Sequence, residues 1–226
     1  MKKIIPFLLI FGALNMSCGK AKKEEPVKPE PKKVSNVVKP DPASVKPDRP
    51  QKDVAVISTM FGDMVIEFFD GTAPKHVESF KLHARSGYYD GTLFHRVIPG
   101  FMIQGGDPNT REKNQASYGS GGHAAKYYGH GKENDPESWT LPAEFGDIKH
   151  TRGIVSMARA TSPSSGGSQF FICAGDAPHL NGQYTVFGQV VEGDQVIEQI
   201  VNLPRDARDN PNRRVEMKVH LEKRDK

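Results

Sequence analysis

Residues 19–52 hold seven prolines, at positions 26, 29, 31, 40, 42, 47 and 50, among many Lys and Glu residues and without a single aromatic side chain. Such a stretch cannot bury enough apolar surface to offset the entropy of ordering its own backbone. Its proline spacing favours an extended, semi-stiff conformer that rises about 3.1 Å per residue, so the segment can reach on the order of 100 Å. Residues 18–52 therefore read as a tether, and a packed core has to come from residues 53–226. That remainder is long enough for one domain with a substantial interior.

Within it the apolar pattern changes from residue to residue in the manner of strands. Val54–Met60 and Met64–Phe69 flank Phe61-Gly62-Asp63, a strand–turn–strand signature. A helix is expected next, capped by Thr72, with Pro74 in its first turn, an apolar stripe of Val77, Phe80, Leu82 and Ala84, and Gly87 at its end. Strands follow near 92–98, 101–105, 153–159, 168–174 and 184–191. A short helix is expected near 194–202, where Val196, Ile197, Ile200 and Val201 recur at helical spacing, and alternation over 215–221 gives a last strand. Many strands with two helices point to an antiparallel barrel with helices over its ends. Residues 108–142, rich in Gly, Asn, His and Tyr, read as one long loop of the functional or mobile kind.

Charge narrows the function. The chain is formally +4, yet the excess sits before residue 53: the tether carries ten basic against five acidic groups, and residues 53–226 carry 19 basic against 22 acidic. A nucleic-acid enzyme shows its basic face on the folded domain, so no nucleic-acid partner is expected. Phe61-Gly62-Asp63-Met64 is no nucleotide loop. His123, His130 and His150 lack the paired spacing of a structural zinc site. Ser164–Ser168 lacks the strand–turn–helix context of a nucleophile elbow. Neither a metal nor a cofactor is expected.

The first 17 residues read as an address. Lys2 and Lys3 precede an apolar run, Ile4–Leu14, that is too short to span a bilayer and has the form of a secretory signal. Cys18 follows Ser17, which resembles the lipobox of bacterial lipoproteins, in which the thiol is acylated and the signal is cut before it. The departure is Asn15 at the position where Leu is usual, with Leu14 one place further back. The expectation is an extracytoplasmic protein held at a membrane by lipid on Cys18, with plain secretion as the alternative. The only other cysteine, Cys173, then has no internal partner and reads as a small core residue.

The stretch Phe94-His-Arg-Val-Ile-Pro-Gly-Phe-Met-Ile-Gln-Gly-Gly-Asp107 resembles the signature of the cyclophilins, which are peptidyl-prolyl cis–trans isomerases. Gly153–Ala158, Gly167–Cys173 and Leu180–Gly188 match further family motifs in the right order, and Ala73–Phe80 fits the family's first helix. The similarity runs from about residue 54 to 222. It implies a mainly β fold, an eight-stranded antiparallel closed barrel capped by two helices, acting as a monomer on proline-containing segments of unfolded or folding proteins.

Residue by residue, the resemblance makes Arg96 the catalytic arginine and Gln104 the polar residue that positions it and the substrate backbone. Phe101, Met102, Phe171 and Leu180 become the proline pocket, Gln169 a neighbouring rim position, and Ala158 and Arg159 the strand edge that pairs with an extended peptide. Three positions depart from the eukaryotic pattern. His179 stands where a rim Trp is usual, Tyr184 where a His is usual, and Arg159 where an Asn is frequent. The rim Trp contributes to cyclosporin binding, so weak sensitivity to that drug is expected. Tyr184 can still stack on a proline and offer a hydroxyl. The rival reading is a tethered module that binds or chaperones Pro-containing peptides without significant catalysis; the intact set of Arg96, Phe101, Gln104 and Phe171 favours the enzyme.

Overall fold

The computed structural model describes residues 51–225. The expected signal peptide, Cys18 and the tether up to residue 50 lie outside the described residues. Ten regular elements follow in chain order: β1 (Gln51–Thr59), β2 (Gly62–Phe68), α1 (Pro74–Arg85), β3 (Arg96–Ile98), β4 (Met102–Gly105), β5 (Ile154–Met157), β6 (Phe170–Cys173), β7 (Val186–Glu192), α2 (Asp194–Val201) and β8 (Lys218–Asp225). β1 begins two residues before the expected boundary, because Gln51 and Lys52 pair with Asp225 and Arg224 of β8. β8 itself runs later than the alternation over 215–221 indicated.

The eight strands form one antiparallel sheet in the order β3-β4-β6-β5-β7-β2-β1-β8. The expected closed barrel is corrected here, since the edge strands β3 and β8 share no ladder. The seam is crossed instead by residues 91–94 and 215–217, through the bridge Leu93↔Glu216 and the bonds Gly91 N–H to Met217 O, Phe94 N–H to Val215 O and Met217 N–H to Thr92 O. The reason lies in β3. It is three residues long and stops at Ile98, just before Pro99, and its outer edge is already taken, Val97 N–H donating to Asp209 O at 2.9 Å.

Side chains alternate across each strand, which splits the interior in two. Ile103, Phe170 and Ile172 face a core shared with Val77 and Phe80 of α1 and with Val196, Ile197 and Ile200 of α2. Met102, Phe171 and Cys173 face the other way, into a second cluster with Ile154, Leu180 and Val186. Phe80 is the hub of the first core, with the rings of Phe68, Tyr89, Phe170 and Phe187 centred 4.9–5.7 Å from its own. Full burial of a side chain of this size contributes roughly 1.5–3 kcal/mol.

α1 departs from expectation at its start. Its cap is Ala73, which offers no side-chain acceptor. The free N–H groups of Lys75 and His76 donate instead to the Glu144 carboxylate, at 3.1 and 3.0 Å, and the His76 ring meets the same group at 2.6 Å. Burial pushes the Glu144 carboxyl up, but the His76 ring and these two N–H groups more than offset it, leaving the carboxyl below the usual range. The buried stripe is also shifted, with His83 inside and Leu82 only half-buried. Gly87 (φ +70°) lets the chain reverse after the Ser86 cap. The 108–142 loop is organised by three short 3-10 turns, Pro108–Arg111, Gln115–Ser117 and Pro136–Ser138.

Candidate active site

β3 and β4 are joined by a tight turn in which Gly100 takes φ +73° and Phe101 N–H returns to Ile98 O at 3.0 Å. The register pairs Arg96 with Gln104, and Gln104 in turn with Phe171 of β6, so three of the expected residues lie in one row across three strands. Leu180 ends a 3-10 turn, Pro178–Leu180, and Tyr184 N–H donates to its carbonyl at 3.2 Å. Ala158 N–H donates to Gln169 O at 2.9 Å, which fixes the end of β5 beside β6.

These elements enclose a cleft of about 180 Å³ lined by Arg96, Phe101, Met102, Gln104, Ala158, Arg159, Phe171, Leu180 and Tyr184. Every expected site residue except two lines it. Gln169 stands behind, as the middle of a relay: Gln104 Nε2 donates to Gln169 Oε1 at 3.0 Å, and Gln169 Nε2 donates to Gly121 O at 2.8 Å. His179 is exposed at the edge, its ring centred 5.4 Å from that of Phe101. Met102, Phe171 and Leu180 are buried to 2, 5 and 7% exposure, so the floor is apolar, whereas the Arg96 side chain is 44% exposed.

The guanidinium has two flanking contacts. Arg96 Nη1 donates to Gln104 Oε1 at 3.5 Å, and Nε lies 3.7 Å from Asp209 Oδ2. Arg159 is fully engaged by contrast. It donates to the carbonyls of Gln183, Ala160 and Thr161, and its guanidinium lies over the Tyr184 ring at 4.4 Å. Tyr184 in turn meets Phe171 edge-on at 5.9 Å.

Sequence reading missed the residues that support this cleft from beneath. His150 is buried and stacks on Phe171 with ring centres 6.0 Å apart. Its Nε2 contacts Ser156 Oγ at 3.0 Å, and its Nδ1 contacts Asn181 Oδ1 at 3.3 Å. Burial lowers its pKa, the Asn181 contact opposing and His179 adding a smaller push in the same direction. In the sequence His150 stood out only as a poor metal candidate, and nothing local to it signals a place under Phe171. Beside the cleft, a second hollow of about 200 Å³ is lined by Gly119–Gly122, Ser165 and Gln169 among others, so the long loop forms one rim of the site. Gly122 is required there: a Cβ would sit 2.2 Å from Ser168 Oγ, and its φ is +99°. Among the described residues no group of three or more His, Cys, Asp or Glu side chains could hold a metal ion.

An apolar pocket the size of a small ring, with a charged planar donor at its edge and a backbone edge alongside, suits an extended peptide that presents one apolar ring. Comparison with known proteins agrees. The family described as cyclophilin type peptidyl-prolyl cis-trans isomerase/CLD matches residues 54–221. A probable peptidyl-prolyl cis-trans isomerase of Brucella abortus is 42% identical over 149 residues, covering 66% of this chain and 71% of that protein. Peptidyl-prolyl cis-trans isomerase-like 1 of Neurospora crassa is 40% identical over 160 residues, 70% of this chain and 86% of its own. Among solved structures, a cyclophilin type peptidyl-prolyl cis-trans isomerase of Cryptosporidium parvum, crystallised in the presence of the dipeptide Ala-Pro, superimposes with a TM-score of 0.64 at 34% identity, covering 75% of this chain and 98% of that one.

Proposed function

The chain belongs to the cyclophilin-type peptidyl-prolyl cis–trans isomerases, and from that premise we propose how its own residues carry out the reaction. The barrier to rotation, roughly 18–20 kcal/mol, comes from amide resonance, and uncatalysed exchange at X–Pro takes tens of seconds or more. No covalent bond is made or broken. Catalysis then requires a grip on the proline ring and a group that binds the twisted amide better than either planar form. Phe101, Met102, Phe171 and Leu180 bury the pyrrolidine ring. Arg96 donates to the prolyl nitrogen, which pyramidalises and gains an accepting lone pair as resonance is lost. Guanidinium stays charged and rigid at any working pH.

Gln104, oriented by Gln169 and the Gly121 carbonyl, positions Arg96 and a substrate carbonyl. The Ala158–Arg159 edge pairs with the peptide backbone, and Tyr184 and His179 form the rim. The observation that carries this reading is the cleft that brings Arg96 to the edge of the apolar floor.

We propose that the activity lies outside the cytoplasm, a reading that rests on the sequence of the first 52 residues and on Cys18. We propose a monomeric, bacterial lipoprotein, anchored by acyl chains that each contribute about 0.8 kcal/mol per buried methylene, acting on proteins that fold at a membrane surface; a mature N-terminus whose mass lacks acylation on Cys18 would leave plain secretion. To separate the isomerase from a pure peptide binder, exchange rate and affinity are measured side by side on one Ala-Pro peptide. Saturable acceleration at the concentration where binding occurs supports the enzyme, and binding without acceleration overturns it.

A further inference from the structure

Asp209 is the only described residue other than glycine with a positive φ, +64°. That conformation is costly for most side chains and tolerated best by Asn, Asp and Gly. Several bonds hold it in place. Asp209 O accepts from Val97 N–H on the outer edge of β3, and Asp209 N–H donates to Asp206 O. The Asp206 carboxylate accepts from the N–H groups of Arg208 and Asn210, and Asn210 Nδ2 donates to His95 O at 2.9 Å. The loop is thus fastened to the residues on both sides of Arg96. Its carboxylate is divided, Oδ1 accepting from Arg205 Nε at 3.2 Å and Oδ2 lying 3.7 Å from Arg96 Nε. Asp209 does not line the cleft; it faces the guanidinium at Nε, whereas Gln104 meets it at Nη1.

We propose that Asp209 is a positioning residue for Arg96, fixing the guanidinium at Nε while Gln104 fixes it at Nη1, so that the remaining donors are aimed at the prolyl nitrogen. The inference rests on the catalytic role assigned to Arg96. The strained backbone is what lets one residue place its carbonyl on Val97 and its carboxylate on Arg96 together.

The test compares Asp209→Asn and Asp209→Gly with Arg205→Gln and Arg96→Ala in the full chain, using an Ala-Pro peptide. Asn and Gly both accept the left-handed backbone, so they remove the charge and leave the loop. The expected result is a loss of roughly two- to fivefold in kcat/KM, the scale of one partly exposed ion pair. It falls on kcat, with melting temperature unchanged and the NMR signal of Arg96 Nε–H shifted. Arg205→Gln leaves the Arg96 partner in place and keeps wild-type turnover. Wild-type kcat in both Asp209 variants overturns the inference, as does an unmoved Arg96 Nε–H signal. Equal losses of stability and activity in Arg205→Gln and the Asp209 variants would make Asp209 a staple of the loop and overturn it too. If Arg96→Ala loses turnover while the Asp209 variants do not, only this inference fails; if Arg96→Ala keeps turnover, both readings fall.

Discussion

Arg96 and Gln104 face each other across the β3–β4 ladder, and Nη1 of the arginine lies 3.5 Å from Oε1 of the amide. The amide is not free to turn, because its nitrogen donates to Gln169 Oε1 and Gln169 donates in turn to Gly121 O. A contiguous sequence motif therefore depends for its geometry on a loop carbonyl that lies outside it.

That dependence gives the first prediction. Gln169→Ala leaves Gln104 able to flip its amide and present N–H to the guanidinium. Loss of one hydrogen bond of about 0.5–1.5 kcal/mol corresponds to a fall of about two- to tenfold in kcat/KM. Steady-state exchange on an Ala-Pro peptide measures it; unchanged turnover would show that the relay does not orient Gln104.

Glu144 caps α1 from a distance of 68 residues, and Glu144→Ala removes three contacts at once. It also strands the His76 ring, whose side chain is 3% exposed. The expected cost is about 2 kcal/mol or more, read as a lower urea midpoint with the cleft's turnover little changed at low denaturant. A midpoint within error of wild type contradicts the capping role.

The motif residues build the cleft and Glu144 caps α1, but the two were not equally legible. Arg96, Phe101, Gln104 and Phe171 could be read because they fall in short contiguous motifs that resemble those of the family; by their alternation alone Phe101 and Phe171 read as core. Thr72 looked like the helix cap because it is a good capping residue in the right place; the actual acceptor, Glu144, comes from a loop with no periodicity. The same holds for His150 beneath Phe171 and Asp209 beside Arg96. The open seam was hidden too, because it follows from the brevity of β3 and from a loop that occupies its edge, and neither leaves a pattern in the sequence.

Acid should weaken the domain in a defined window. Burial holds the His83 imidazole down to about 4 from its ordinary 6.5, against the opposing bond to His123 O. The unfolded chain takes up this proton near 6.5, while the folded chain does not until about 4, so stability present at neutral pH is lost as pH falls through that range. The slope approaches about 1.4 kcal/mol per pH unit for one proton. Burial lowers His95 and His150 as well, and both act in the same direction. Urea midpoints at about pH 7 and about pH 4.5, compared between wild type and His83→Gln, should show a shallower dependence in the variant; identical slopes would contradict it.

Cys173 is fully buried and unpaired, and burial, with a smaller contribution from Asp176, pushes its thiol up to about 12. The thiolate is the reactive form, so alkylation of Cys173 in the native domain should be slow and should track unfolding as urea is raised. Rapid labelling of this position without denaturant would contradict its burial.

His179 is exposed beside Phe101 where the eukaryotic proteins carry a Trp. Cyclosporin should bind weakly, and His179→Trp should tighten it about tenfold or more, the effect of one aromatic anchor at an interface. Tight binding to the unaltered chain, measured by calorimetry, would sink this reading of the rim.

The central claim is that Arg96 lowers the rotational barrier from the edge of the Phe101–Phe171 pocket. The direct measurement is two-dimensional NMR exchange on an Ala-Pro peptide with wild type, Arg96→Lys and Arg96→Ala, each first shown to melt as wild type does. A loss of about a hundredfold is expected in Arg96→Ala, of the size seen when one donor to a transition state is removed, and an intermediate loss in Arg96→Lys, which keeps the charge without the planar fork. Equal exchange rates in wild type and Arg96→Ala would contradict it.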